Sequence, residues 1–194
     1  MLKKLQDDEF TFKYVYITGI ANTRISFNEI QKEIDKICRN YEVIIQFFNS
    51  HLIAGWEHIF FSAIHSLKAF KQGINISNNL ELEILLYVSG QHQIKVAIEK
   101  FGIDLETQNI AVIILGNNIN SIENAKIKVL ALIEGIENAT VLTISKEKYE
   151  SICKNFNISQ LEIETVANSS GWKDKLDAMV KIVLNRIAFV IFEK

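Results

Sequence analysis

Three histidines recur every seven residues, His51, His58 and His65, and they are the first side chains in this 194-residue chain that invite chemistry. On a helix that interval is roughly 10 Å of axial rise. A metal ion holds its ligands at about 2 Å, so helical metal sites pair histidines three or four residues apart. The spacing is wrong for a shared ion, and leaves His58 and His65 to edge a surface or bond helix neighbours. Cys38 and Cys153 are the only cysteines, and neither has an adjacent histidine or basic run to lower its pKa. Both fall on apolar helix faces, which predicts two buried free thiols in a reducing compartment. Glu81 and Glu83 lie on opposite sides of a helix and cannot share a substrate. Glu83 sits among apolar residues and reads as a capped or paired core carboxylate. There is no C-x-x-C, no GxxxxGK[ST], and no GxGxxG after a strand. The chain is therefore not expected to be a kinase or ATPase itself, and no catalytic residue, metal ligand or cofactor is assigned.

Binding is the remaining chemistry, and its candidate is the polar corner Ser89, Gly90, Gln91, His92, Gln93. Several side-chain donors beside a helix N-terminus can take an anion or a base edge. An ordinary turn between helices has the same composition.

Three helical segments within Trp56–Ile103 must position that corner. The first runs from about Ala54 to Gln72. Ile53, Trp56, Phe60, Ala63, Leu67 and Phe70 recur on one face. His58, Ser62, His65, Lys68 and Lys71 lie opposite, and Gly73 ends the helix. The second spans Asn78–Ser89. Its run Leu80–Val88 suits a strand by composition, but Asn78 and Glu81 fit a capping box and Gly90 supplies a stop. The third, Gln91–Phe101, is expected to bury Ile94, Ala97, Ile98 and Phe101 and to stop at Gly102.

This region resembles the signature stretch of the PRPK-binding protein (TPRKB) family, the small non-catalytic subunit of the KEOPS complex. The resemblance is carried by Ala54, His58, Ala63, Ile64 and Ala69, then Ile76, Glu83, Ile84 and Leu85. It continues through Ser89-Gly90-Gln91, Gln93-Ile94, Ala97-Ile98 and Gly102. The match is of the archaeal type, whose members usually carry arginine where this chain has His92. A similar helix recurs near the C-terminus as Leu176, Met179, Val180, Val183, Leu184, Ile187 and Ala188.

The rest of the chain alternates strands and helices. Phe10–Gly19 alternates with period two and reads as a strand covered on both faces. A helix follows, opened by a capping box at Ser26 and Glu29 with a staple between Ile25 and Ile30. Phe27, Ile30, Ile34, Ile37, Cys38 and Tyr41 form its buried stripe. Val43–Phe48 and Ile110–Leu115 are apolar enough for interior strands, and Val141–Ile144 reads as a short fourth. Ser121 is expected to cap a helix that buries Ile122, Ala125, Val129, Leu132 and Ile133 and ends near Gly135. Ser145 starts another, with Tyr149, Ile152 and Phe156 inward. Ser159 and Glu162 make a capping box with Ile158 and Ile163 as its staple. The last helix runs from about Trp172 to Phe192 on a stripe of Leu176, Met179, Val180, Val183 and Ile187. Ile182 and Phe189 fall off that stripe, and Ala188–Phe192 is apolar throughout, so either the fold or a partner must cover it.

Hydrophobic residues are 48% and charged residues 23%, with no proline, an ordinary globular composition. No apolar run reaches a membrane span, and no signal-peptide core follows Met1, which predicts a cytoplasmic protein. The net charge of −2 and pI near 6.1 argue against holding nucleic acid by charge alone. The expectation is a mixed α/β single domain over 1–194, with about four strands in a central sheet packed by about seven to eight helices.

The resemblance implies a non-enzymatic subunit that binds the small atypical protein kinase of KEOPS and docks the 3′-CCA end of tRNA. The complex would then make threonylcarbamoyladenosine. The RNA surface is placed at Lys68, Lys71, Ser77, Asn78, Ser89, Gly90, Gln91, His92 and Gln93. The kinase surface is placed at Ile182, Phe189, Val190 and Phe192. A protein-only adaptor of the kinase is the alternative, and a small-molecule enzyme is a third class.

Overall fold

The computed structural model describes residues 1–7, 9–23 and 27–190. Its centre is an antiparallel sheet in which β2 (Tyr14–Ala21) pairs with β4 (Ile110–Gly116), and β4 with β3 (Val43–Asn49). Two short strands, β1 (Leu2–Lys4) and β5 (Ile136–Glu137), both pair with β2. They share its outer edge, β1 beside Tyr14–Tyr16 and β5 beside Ile20–Ala21. Covering an edge in this way removes a template for unwanted pairing.

The apolar strands are continuous because helices cover both faces of the sheet. Ile110, Val112 and Ile114 point to one side, where α1 (Phe27–Tyr41) and α5 (Ile119–Ile133) bury Ile30, Ile34, Ile122, Ala125 and Val129. Ala111, Ile113 and Leu115 point to the other side, into a larger core. That core is closed by α2 (Gly55–Gln72), α3 (Leu80–Ser89), α4 (Ile94–Phe101), α6 (Lys146–Asn155), α7 (Gln160–Val166) and α8 (Trp172–Ala188). The expected mixed α/β class holds.

Several details differ from the sequence expectation. Val141–Ile144 is no strand. A 3-10 turn over Ala139–Leu142 takes its place, held by Asn138 Oδ1 accepting from Thr140 N at 3.0 Å. The turn lies so close to β2 that a Cβ on Gly19 would stand 2.6 Å from Val141 Cβ. The cap of α5 is Asn118, whose side chain accepts from Asn120 N, rather than Ser121. The cap of α3 is Asn79, one residue beyond the expected Asn78, and it accepts from Glu81 N and Leu82 N. α4 is shorter than expected, starting at Ile94, and its Ile98 is 49% exposed. The box at Ser159 and Glu162 forms as expected, with Ile158 and Ile163 both buried. The Ser26–Glu29 box, its staple from Ile25 and the Phe27 side chain lie outside the described residues, as does Phe192.

Candidate functional site

The corner after α3 is built from the backbone outward. Gly90 takes a left-handed φ of 63°, and its N–H and that of Gln91 turn back onto α3, reaching Tyr87 O and Leu86 O at 3.1 Å each. A Cβ there would also meet Phe156 Cε1 at 3.3 Å. Ser89 is buried, and its hydroxyl donates to Leu86 O at 2.9 Å. Ser89 thus holds the corner's shape and offers no outward donor. Gln91 and His92 are half-buried and Gln93 is exposed. Gln93 precedes α4 in an extended conformation and makes no side-chain cap. The first turn of α4 thus starts without a cap from the side chain that precedes it, the condition that suits an anion or a base edge.

The floor beneath the corner is His58. The sequence puts it on the polar side of α2, yet it is fully buried. Ala54 N donates to its Nδ1 at 3.1 Å, so Nε2 carries the proton and donates to Val88 O at 2.9 Å. Phe101 and Phe156 close over the ring edge-on. Burial pulls its pKa down to about 4, opposed by the hydrogen bond to Val88 O and aided by the charge of Lys148. Ser62, also on that side, and Ser66 are buried and satisfied by donating to the carbonyls one turn back, His58 O and Ser62 O.

The second group of expected RNA contacts lies at the opposite end of α3. Glu83 is fully buried there and accepts from Ser77 N at 2.7 Å and from Ile76 N at 3.0 and 3.1 Å. It is the core carboxylate the sequence suggested, and it fixes the loop between α2 and α3. Ser77 is consequently buried, while Asn78 is exposed. Lys68 is exposed, and Lys71 is held by Asp7 at 3.2 Å and by Glu9. Those carboxylates, Glu9 first, raise its pKa. The two groups of residues are separated by the ten residues of α3, about 15 Å. They form two places on the molecule and not one pocket.

At the C-terminus, Ile182 is 8% exposed and belongs to the main core, contrary to its placement off the stripe. Val190 is buried against Ala69 and Tyr87. The fold itself covers both, which answers for Val190 the choice between fold and partner as its cover. Phe189 is 52% exposed.

Residues 18–190 match the family model described as Kinase binding protein CGI-121. The chain belongs to this family. A search of curated proteins finds no match.

In this CGI-121 chain a surface missed by sequence reasoning adjoins Phe189. Leu161, Thr165 and Val166 of α7 face Ile182, Asn185 and Arg186 of α8 across a shallow groove of about 300 Å³. Leu161 is 73% exposed, and Arg186 bonds Glu162 at 2.6 Å along the groove. The signal was present in α7, where an apolar residue follows the Ser159 cap on the side away from the Ile163 staple. Cys38 and Cys153 are half-buried, and burial pushes the Cys38 thiol up to about 11 and raises that of Cys153, so neither is an activated nucleophile. Among the described residues no cluster of His, Cys, Asp or Glu is arranged to hold a metal ion, and no helix is long and apolar enough to cross a membrane.

Proposed function

We propose that this chain is a non-catalytic KEOPS subunit, one cytoplasmic domain over 1–194, that binds the complex's small atypical kinase and docks the 3′-CCA end of tRNA. Its contribution to threonylcarbamoyladenosine synthesis is positioning. The observation that carries the reading is membership of a kinase-binding family across residues 18–190. The kinase docks at the C-terminal end of α8, through Phe189, Phe192 and the α7–α8 groove. The RNA end docks at Gly90–Gln93, where the polar side chains Gln91, His92 and Gln93 stand beside the uncapped start of α4. Single-stranded ends are read by stacking and base-edge contacts, so a few donors beside apolar walls suffice. Lys68 and Asn78 extend the contact along the surface of α2 and α3. Ser77 and Ser89 act by shaping loops.

The test is a gel shift with whole tRNA and with tRNA lacking its terminal CCA. Retarded migration that disappears with the CCA, and that weakens about tenfold in Gln93→Ala, is the expected result. Equal binding to both RNAs moves the contact to the tRNA body and refutes the CCA assignment. A protein-only kinase adaptor is favoured by the net charge of −2 and by the pairing of Lys71 with Asp7 and Glu9. Failure of both RNAs to bind at low salt selects that reading.

A further inference from the structure

A pocket separate from both docking surfaces opens at the N-terminal end of α6. There the 3-10 turn Ser50–Leu52 meets the one at Ala139–Leu142. It measures about 530 Å³, within the range of small-molecule sites. Asn49, His51, Thr140, Thr143, Ser145 and Lys148 are among its lining residues.

Lys148 is the unusual member. It is 7% exposed, and its Nζ donates to Val141 O at 3.1 Å. An ammonium has three N–H donors and no acceptor, so one carbonyl leaves two of them unused. Among the described residues no carboxylate pairs with it, although buried charges are ordinarily paired. Burial lowers its pKa to about 8, which keeps it mostly charged at neutral pH.

Three of the surrounding polar groups, Asn49, Asn138 and Ser145, have an acceptor occupied and a donor left over. Asn49 Oδ1 accepts from His51 N at 3.0 Å. Asn138 Oδ1 accepts from Thr140 N at 3.0 Å and from Thr140 Oγ1 at 2.6 Å. Ser145 Oγ accepts from Lys148 N at 3.1 Å. The two amide Nδ2 groups and the Ser145 hydroxyl proton remain to donate. A buried cation paired with no carboxylate among the described residues, in a pocket lined by these donors, suits an oxyanion.

We propose that this pocket binds a phosphate oxyanion, with Lys148 Nζ as its charge partner and Asn49, Asn138 and Ser145 as hydrogen-bond donors. Glu106 and Glu147 also line the pocket and are exposed. They repel an extended polyanion, so the ligand is small: inorganic phosphate, or a phosphate monoester of nucleotide size. This site is independent of the kinase and RNA readings.

Isothermal titration of the full chain with inorganic phosphate, and separately with adenosine 5′-monophosphate, tests the proposal at pH 7 against a chloride control of equal ionic strength. Saturable binding of either is expected. Phosphate binding identifies the free ion as sufficient, and binding of the monophosphate alone assigns the site to an esterified phosphate. Lys148→Met is expected to weaken binding at least about tenfold. Asn49→Asp is expected to do the same, because it keeps the acceptor for His51 N and exchanges a donor for a negative charge. The second variant keeps the test decisive if the first fails to fold. Absence of binding by both ligands in the millimolar range overturns the site. So does undiminished binding in a folded Lys148→Met or in Asn49→Asp.

Discussion

At the scale of single residues, the polar groups in the helical layer do structural work that fixes their protonation. His58 is held neutral first by its complete burial, and its Nδ1 is already engaged in accepting from Ala54 N. Its folded pKa of about 4 lies below the ordinary histidine value near 6.5. Between those values the unfolded chain binds the extra proton and the folded chain does not, so stability falls as pH falls. The contribution is complete above pH 6.5 and is lost progressively down to about pH 4. The shift corresponds to on the order of 3 kcal/mol. His65, whose pKa is also lowered by burial, acts in the same direction. Urea unfolding from pH 7.5 to 4 is expected to show this decline in the wild type and a much shallower one in His58→Gln. Parallel profiles for the two proteins would show that His58 does not set the acid sensitivity. Glu83 is the complementary case, a buried carboxylate that accepts only backbone N–H groups and so organises the loop that carries Asn78.

At the scale of elements, the corner depends on how α3 is stopped. Gly73 and Gly90 end α2 and α3 with nearly equal left-handed φ values, 67° and 63°. A Cβ at Gly73 meets nothing within 4 Å, whereas one at Gly90 meets Phe156 Cε1 at 3.3 Å. Gly73→Ala is expected to cost only the conformational penalty, about 1–2 kcal/mol. Gly90→Ala is expected to cost more, because the Phe156 ring that packs on His58 must also shift. Chemical denaturation of both variants checks the order, and equal losses would place the corner's stability in the backbone alone. The same elements explain what the sequence revealed. β2, β3 and β4 were legible because interior strands need apolar residues on both faces, and the Ser145 and Ser159 caps because their side chains act locally. β1 and β5 carry no strand signal, since Leu2–Lys4 and Ile136–Glu137 are extended only through pairing with β2. Val141–Ile144 has strand-like residues, but Gly19 brings the 3-10 turn against the sheet instead. The burial of His58, Ser62 and Ser66 was invisible because α2 is covered on most sides, and each polar group finds its partner within one turn or across in α3.

At the scale of the whole molecule, the two proposed docking surfaces share the α2–α3 pair. Val190 packs on Ala69 and Tyr87, which brings the C-terminal end of α8 against the end of α2 that bears Lys68 and Lys71 and, through Tyr87, within one turn of Gly90. A kinase seated on Phe189 and the α7–α8 groove would therefore stand beside the RNA contact. Removing Ala188–Lys194 is a poor probe of this arrangement, because it also strips Val190 from its buried contact with Tyr87. Surface substitutions separate the effects. Leu161→Asp and Phe189→Asp alter side chains that are 73% and 52% exposed, so little change in melting temperature is expected from either. Each is expected to weaken kinase binding by at least about tenfold, the scale of losing one apolar anchor at an interface. Val190→Asp is expected to lower the melting temperature instead, by burying a charge without a partner. Binding of the purified kinase to these three variants, read beside their thermal unfolding and their retardation of CCA-bearing tRNA, distinguishes docking from folding. If Leu161→Asp and Phe189→Asp bind the kinase as the wild type does, the partner engages another face. If they lose tRNA and kinase together, the two surfaces are not separable.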